Sequence, residues 1–409
     1  MNFSSHQKGQ ALVLIVLGIV GLIALVALAI DGGNAFMNRR HAQAAADAAA
    51  MAAALAKVNN QDWQLAGLNR AASNEFINDN IHDAITIVSP PGGDCNGESG
   101  PYAGNVEYIQ VIINSNVDTF FAQIVGIAQT HSCVESIARA KPAETTPIAF
   151  GNGMVSLNPH SCKAFWVHGT SDTTVIGSGV FVNSDCSTGA FQAFDQSGSG
   201  GITAPGYCIV GGATYSAGEV IPPPQTGCAN KLPYPPEYIW PQPTCSASGT
   251  NSGGILTPGN VPGSWIGGDV TLQPGIYCIS GDVTINSNDF IRGTGVLLYL
   301  MDGGLHINGG AQVELSSQTT GNYAGLLIYL PLSNSNTVIL NGNGNSTYTG
   351  TILAPASEIQ VNGTSSGYGY HSQIIGYTVD LSGTGGTTII YNDSENFDIT
   401  IPPMIEIAR

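Results

Sequence analysis

Charge is what this chain has least of. Only 10% of its 409 residues are Asp, Glu, Lys or Arg, and 11 basic residues against 28 acidic ones leave a formal charge of −17. Beyond Lys141 the basic side chains are Lys163, Lys231, Arg292 and Arg409. Nucleic acid is excluded as a partner, because binding phosphate requires clustered Lys and Arg. No Cys-x-x-Cys pair occurs and the eight histidines show no ligand spacing, so neither a zinc site nor any other cofactor is expected.

What is there first is grease. Ala11 to Ile30 holds no charge, and most of it is Leu, Ile or Val, with Leu12, Leu17 and Leu22 among them. About twenty apolar residues match the hydrocarbon thickness of a bilayer at helical rise. A removed signal peptide would have a shorter apolar core and a small-residue cleavage site, whereas Asp31 and two glycines lead straight into more helix-forming sequence. The expectation is a retained single-pass anchor. From Asn34 to Val58 alanine dominates, so the helix is expected to continue as a stem over residues 10–60, with Gly32 and Gly33 the likeliest flaw. The small side chains would also let a second helix approach closely.

Lys8 before the span and Arg39 and Arg40 after it leave orientation undecided by charge. Cysteine is more informative. All eight, Cys95, Cys133, Cys162, Cys186, Cys208, Cys228, Cys245 and Cys278, follow the span, and an even count in exported sequence points to disulfides of open connectivity. The carboxy-terminal bulk is therefore expected outside the cytoplasm.

Residues 61–150 read as a small α+β module. The expected elements are a helix over Asp62–Asn80, strands at "AITIVSP", "VEYIQVIINS" and "SCVESIARA", and a short helix at "DTFFAQIVGIA". Cys95 in a loop and Cys133 on the last strand are placed to close it. From 151 to 409 helical periodicity disappears. Short units such as "VTL", "VTIN", "LHING", "EIQVNG" and "VDLSG" recur at irregular intervals, with longer runs such as "GVLLYL" and "GLLIYL" between them. Alternate inward residues and Gly or Asn at corners suit stacked β-coils, so the expected fold is an all-β right-handed parallel β-helix of about ten coils. A sandwich or propeller would need regular hairpin turns. The Pro-rich stretch 221–245 cannot serve a central ladder and is expected to cross the surface, bracketed by Cys208, Cys228, Cys245 and Cys278.

The segment "KGQALVLIVLGIVGLIALVALAIDGGNAFMNRRHAQAAADAAAMAAALA" resembles the TadE/TadG-like pilus-assembly proteins. "DTFFAQIVGIAQTHSCVESIARA" is similar to a later Phe-Phe-x-x-x-x-Gly stretch of that family, and "GVFVNSDCSTGAF" to the start of a Gly-rich ectodomain in some members. The resemblance implies a protein of the bacterial envelope associated with tight-adherence pili. It implies a short cytoplasmic leader, 1–9, with a cleavage site between Gly9 and Gln10, and pilins or other assembly proteins as partners besides the membrane. Pilin-like relatives carry a Glu five residues into the mature chain; counted from Gln10, that position is Leu14. A membrane-retained accessory role in assembly, anchoring or surface adhesion, with surface glycans as a further partner, is the expectation.

Some TadG-like proteins resemble von Willebrand A domains, whose metal site uses Asp-x-Ser-x-Ser; "DQSGS" supplies Asp195, Ser197 and Ser199. The flanking sequence lacks the preceding hydrophobic strand and following helix, so a polar turn is expected. The alternative function is a membrane-tethered polysaccharide lyase or hydrolase on the same scaffold. A lyase needs a basic proton acceptor and a hydrolase needs paired carboxylates. Arg292 stands nearly alone, while Asp289, Asp302, Glu314, Glu358 and Asp380 are dispersed, as are His306 and His371. Three or more carboxylates, or a carboxylate with Arg292, converging in a groove along the rod would favour catalysis, and an exposed apolar or aromatic strip without such convergence would favour binding.

Overall fold

A computed structural model describes residues 8–341, 345–363 and 367–408. The leader expected at 1–9 falls mostly outside the described residues. The chain forms two compact units, 1–144 with 402–409, and 145–401.

The first unit is built on one helix, α1, Lys8–Val58, which runs uninterrupted through Gly32 and Gly33. Its two halves bury nothing in common. Leu12, Leu17 and Leu22 are more than 60% exposed, whereas Ala42, Ala45, Ala46, Ala49, Ala50, Ala53 and Ala54 are wholly buried. That i, i+3, i+4 stripe faces an antiparallel sheet of three strands in chain order, β1 Asp83–Val88, β2 Tyr108–Asp118 and β3 Gln129–Lys141, followed by Met404–Ile407. Alanine's short side chain lets Ile109, Val111, Ile113 and Val134 of the sheet come down onto the helix. The last strand returns from the far end of the chain, Ala138 opposite Ile407.

Helix α2 covers Trp63–Ala72, shorter than the expected Asp62–Asn80. Ser73 and Asn74 donate their side-chain groups back to the carbonyls of Asn69 and Arg70, and Glu75 adopts a φ of 71°, which ends the helix while Phe76 still reaches the alanine face. Gly67 lets the helix lie close, since a Cβ there would stand 2.6 Å from Ile87 Cδ1 and push that side chain aside. The helix expected at "DTFFAQIVGIA" contracts to a 3-10 turn, Ala122–Val125, closed by Gly126 at φ 90°. Cys95 and Cys133 are bonded.

The second unit is mostly β. Its strands form an 11-stranded and a 16-stranded sheet, and neighbours run parallel except where Asn251 and Ser252 fold back on Ile255 and Leu256. Where one strand pairs in parallel with the next coil in chain order, partners lie between 16 residues apart (Leu256 and Leu272) and 33 apart (Leu315 and Tyr348). Inward side chains such as Val270, Ile291, Val313 and Tyr348 form one large aliphatic core. At one corner glycines stack without room for a side chain: a Cβ on Gly198 would meet the Gly169 carbonyl at 2.6 Å, and one on Gly169 the Gly383 carbonyl at 2.9 Å, with positive φ at all three.

The order of strands along the sheets is a circular shift of their order in the chain. Met154–Ser156 and Thr173–Ile176 begin in the middle of the ladders, and the chain winds outward to Val220–Ile221 and Gln225–Thr226. It resumes at the opposite end near Ile255 and winds back, until Thr387–Ile390 pairs with Thr173–Ile176 and Ile374 with Met154. Residues 227–250 join the two ends as a strap. Asn183 exchanges hydrogen bonds with the Leu232 backbone at 2.8 and 3.0 Å, and the Tyr234 hydroxyl donates to the Pro355 carbonyl. Disulfides Cys208–Cys228 and Cys245–Cys278 fasten the strap at each end; Cys162–Cys186 closes a loop elsewhere. The strap's Leu232, Tyr234, Tyr238 and Trp240 cover Phe181, Leu297, Leu326, Leu353 and Ile375 on the outer face of the larger sheet.

Candidate functional site

The anchor is assembled where α1 changes partner. The helix over Leu12–Val58 contains an 18-residue window of mean hydropathy 3.2, long and apolar enough to cross a membrane, and no part of that window is buried inside the protein. Gly9, Gln10 and Ala11 lie on the same helix. One residue after Ile30, the Asp31 carboxylate accepts the backbone N–H groups of Phe120 at 2.8 Å, Phe121 at 3.0 Å and Ala122 at 2.7 Å. The first turn of a short 3-10 segment has unpaired donors, and a carboxylate satisfies them from outside. The Ile-Asp-Gly-Gly and Phe-Phe-x-x-x-x-Gly stretches are thus two halves of one contact.

Residues 9–56 match the family model for Flp pilus-assembly TadE/G-like proteins. That is the stem. The match ends near the last buried alanine of α1 and covers neither the sheet nor the second unit. No curated protein and no solved structure matches the chain.

A surface cleft in the second unit is the other candidate. It encloses about 880 Å³ between the strap and the 316–325 and 393–400 loops. Trp240 and Tyr323, each partly buried, line it with the amides of Gln242, Gln318 and Asn322 and the carboxyl groups of Asp393, Glu395 and Asp398. Burial, with the nearby Asp393 charge, raises the Asp398 pKa. Asp393 accepts from the Tyr391 hydroxyl at 2.7 Å, and Glu395 lies 3.9 Å from His371 Nδ1. No Lys or Arg lines the cleft among the described residues. Sequence reading missed all three carboxylates. "YNDSENFD" is the signal that was available, three acids within six residues, bent by Asn392, which caps the turn Asp393–Glu395.

Of the acids singled out from sequence, Asp289, Asp302 and Glu314 lie apart, each held by its own partner, whereas Glu358 and Asp380 stand on paired strands, near enough for the Glu358 charge to help raise the Asp380 pKa. Asp289 accepts from the Asn286 N–H, Asp302 from Gly281, Glu314 from Gln312 and Glu358 from Gln360. Arg292 pairs with Asp269 and lies over the Phe290 ring, and His306 is exposed on a strand. Asp380 bonds His168 at 2.8 Å; burial raises its pKa, opposed by the His168 charge. In "DQSGS", Asp195 is buried on a ladder strand, Ser197 accepts from Trp166 Nε1, and Ser199 is exposed. Among the described residues no group of three His, Cys, Asp or Glu is placed to hold a metal.

Proposed function

We propose that this is a single-pass protein of the bacterial cytoplasmic membrane, with its bulk extracytoplasmic, that acts in assembling or anchoring tight-adherence pili or in surface adhesion. The observation that carries this reading is the coincidence of the family match with a helix that is bare over one bilayer thickness and packed beyond it. Four disulfides and no free cysteine among the described residues support an oxidising compartment. Pilins and other assembly proteins of that system are the proposed partners of the stem. The test is fractionation of native cells with an alkaline wash, beside sheared filaments, and mass spectrometry of the amino terminus around Gly9. Recovery of a soluble, thiol-reduced chain from the cytoplasm overturns the reading.

The second unit is proposed to be a right-handed parallel β-helix. Parallel ladders whose partners follow at intervals of about twenty to thirty residues support it, and a crossover between parallel strands is right-handed in nearly every known case. A density map showing paired hairpins overturns it.

The cleft is proposed to bind a surface glycan, with its converging carboxylates, the feature named above as favouring catalysis, leaving hydrolysis as the second reading. Trp240 and Tyr323 offer ring faces to sugar C–H groups, while the amides donate to and accept from hydroxyls and the carboxylates accept from them. With three acids and no Lys or Arg among the described lining residues, it suits neutral or amino-bearing sugars and repels uronic acids. A glycan array probed with the chain and its W240A variant tests this; equal binding by both overturns it. The three carboxylates favour a second reading, a glycoside hydrolase, over a lyase, which would need a base and a cation at the site. Release of reducing ends that D393N or D398N abolishes would establish that reading.

A further inference from the structure

The turn held by Asp31 leaves its largest apolar side chains in the open. Phe120 is 69% exposed, Ile124 83% and Ile127 53%. No Asp, Glu, Lys or Arg occurs between Asp118 and Glu135. Three apolar side chains on a nine-residue turn are hard to reconcile with water on every side.

Their depth is set by the anchor. If Ala11 to Ile30 crosses the hydrocarbon, at about 1.5 Å per residue it consumes about 30 Å, and Asp31 stands at the boundary. The amides of Phe120, Phe121 and Ala122 are within 3.0 Å of that carboxylate and share its depth. On α1 itself Phe36 and Met37, 61% and 68% exposed, come next, then Arg39 and Arg40 two turns beyond Asp31. Apolar and aromatic groups followed by cations is the order that a bilayer presents in acyl chains, interface and phosphates.

We infer that the turn Thr119–Ile127 is a second membrane contact, with Phe120, Ile124 and Ile127 immersed in the interfacial layer of the same leaflet where the helix emerges. This rests on the membrane-anchor reading. The occupant is the lipid surface: continuity with the span places the turn there. The contact would fix the tilt of the first unit against the bilayer, which one helix alone cannot do.

The test uses the full-length, disulfide-bonded chain in phosphatidylcholine vesicles, plain or brominated on the upper acyl chain. The emission that Ile124→Trp adds to that of the unaltered chain is expected to shift blue and to lose about half or more of its intensity in brominated vesicles. Phe120→Trp is a second reporter should the first variant misfold. Added emission that brominated lipid leaves unquenched, from chain that floats with the vesicles, overturns the inference while leaving the anchor intact. A blue shift that tracks protein density without quenching assigns the face to a second copy and also overturns it. Chain that does not float removes the anchor and the inference together.

Discussion

Asp31 and Phe120 are 89 residues apart in the chain, and the Asp31 carboxylate accepts the Phe120 backbone N–H at 2.8 Å. It is the point at which a helix shaped for lipid is tied to the folded module beside it. Removing the acceptor leaves three amide donors to find water. D31A is expected to speed hydrogen exchange at the amides of residues 120–122 by about tenfold or more, with β2 and β3 remaining protected. Exchange measured by mass spectrometry checks it; unchanged protection at 120–122 rejects the tie.

The strap is held at its far end by Cys245–Cys278, which encloses 33 residues of sequence. On the chain-entropy account a loop of that length contributes about 3 to 4 kcal/mol. C245S/C278S is expected to lower the denaturation midpoint accordingly and to open the Pro-rich strap to proteases, with cleavage mapped between 229 and 244. A strap that stays resistant would mean its packing on Leu297 and Leu353 suffices.

Tyr348 and Tyr370 stack inside the core with ring centroids 4.9 Å apart, and among the described residues the Tyr370 hydroxyl has no hydrogen-bond partner. Burial raises both phenol pKa values. Y370F removes a desolvated hydroxyl and keeps the ring, so stability is expected to hold or rise by about 1 kcal/mol. Y348A removes the ring too and is expected to cost about 3 to 5 kcal/mol. Urea unfolding of both variants separates ring from hydroxyl; a marked loss in Y370F would reveal a hidden partner.

Asp185 accepts from Lys231 at 2.6 Å and from His160 at 3.0 Å, and these hydrogen bonds, Lys231 foremost, hold its pKa down at about 2. A depressed carboxylate stabilises the fold above its unfolded value of about 4 and loses that contribution as pH falls through about 2. The strap segment around Lys231 is therefore expected to loosen between about pH 4 and pH 2. Because the pair is well exposed the effect should be small, and D185N should remove it. A pH series of thermal midpoints for both chains is the measurement; identical profiles reject the assignment.

Much of the first unit was legible. Twenty uncharged residues and an alanine tract with 3.6-residue spacing leave little choice but an exposed and then a packed helix, and β1 to β3 fall where β-branched runs stood. The return of "MIEI" to β3 carried no signal, because a four-residue edge strand looks the same whichever sheet it joins. In the second unit Val-x-Leu and Ile-x-Val marked the inward faces. "GVLLYL" and "GLLIYL" defied alternation for a reason found in the packing: Leu298 and Leu300 enter the core while Leu297 and Tyr299 lie under or beside the strap. The circular shift of strand order could not be read, since neighbouring coils have interchangeable patterns. The cleft was missed for a related reason: Trp240 comes from the strap, and nothing local tells that it lines the same cleft as Asp398.

That shift of order also sets a timetable. Thr173–Ile176 waits for Thr387–Ile390, and Met154 for Ile374, so the earliest coil of the second unit keeps one flank bare until nearly the whole chain has been made. Pairings this distant are slow to find, and an uncapped parallel edge invites mispairing. Translocation through a membrane as an unfolded thread would postpone the risk, letting the last coil arrive before the first has had time to seek another companion.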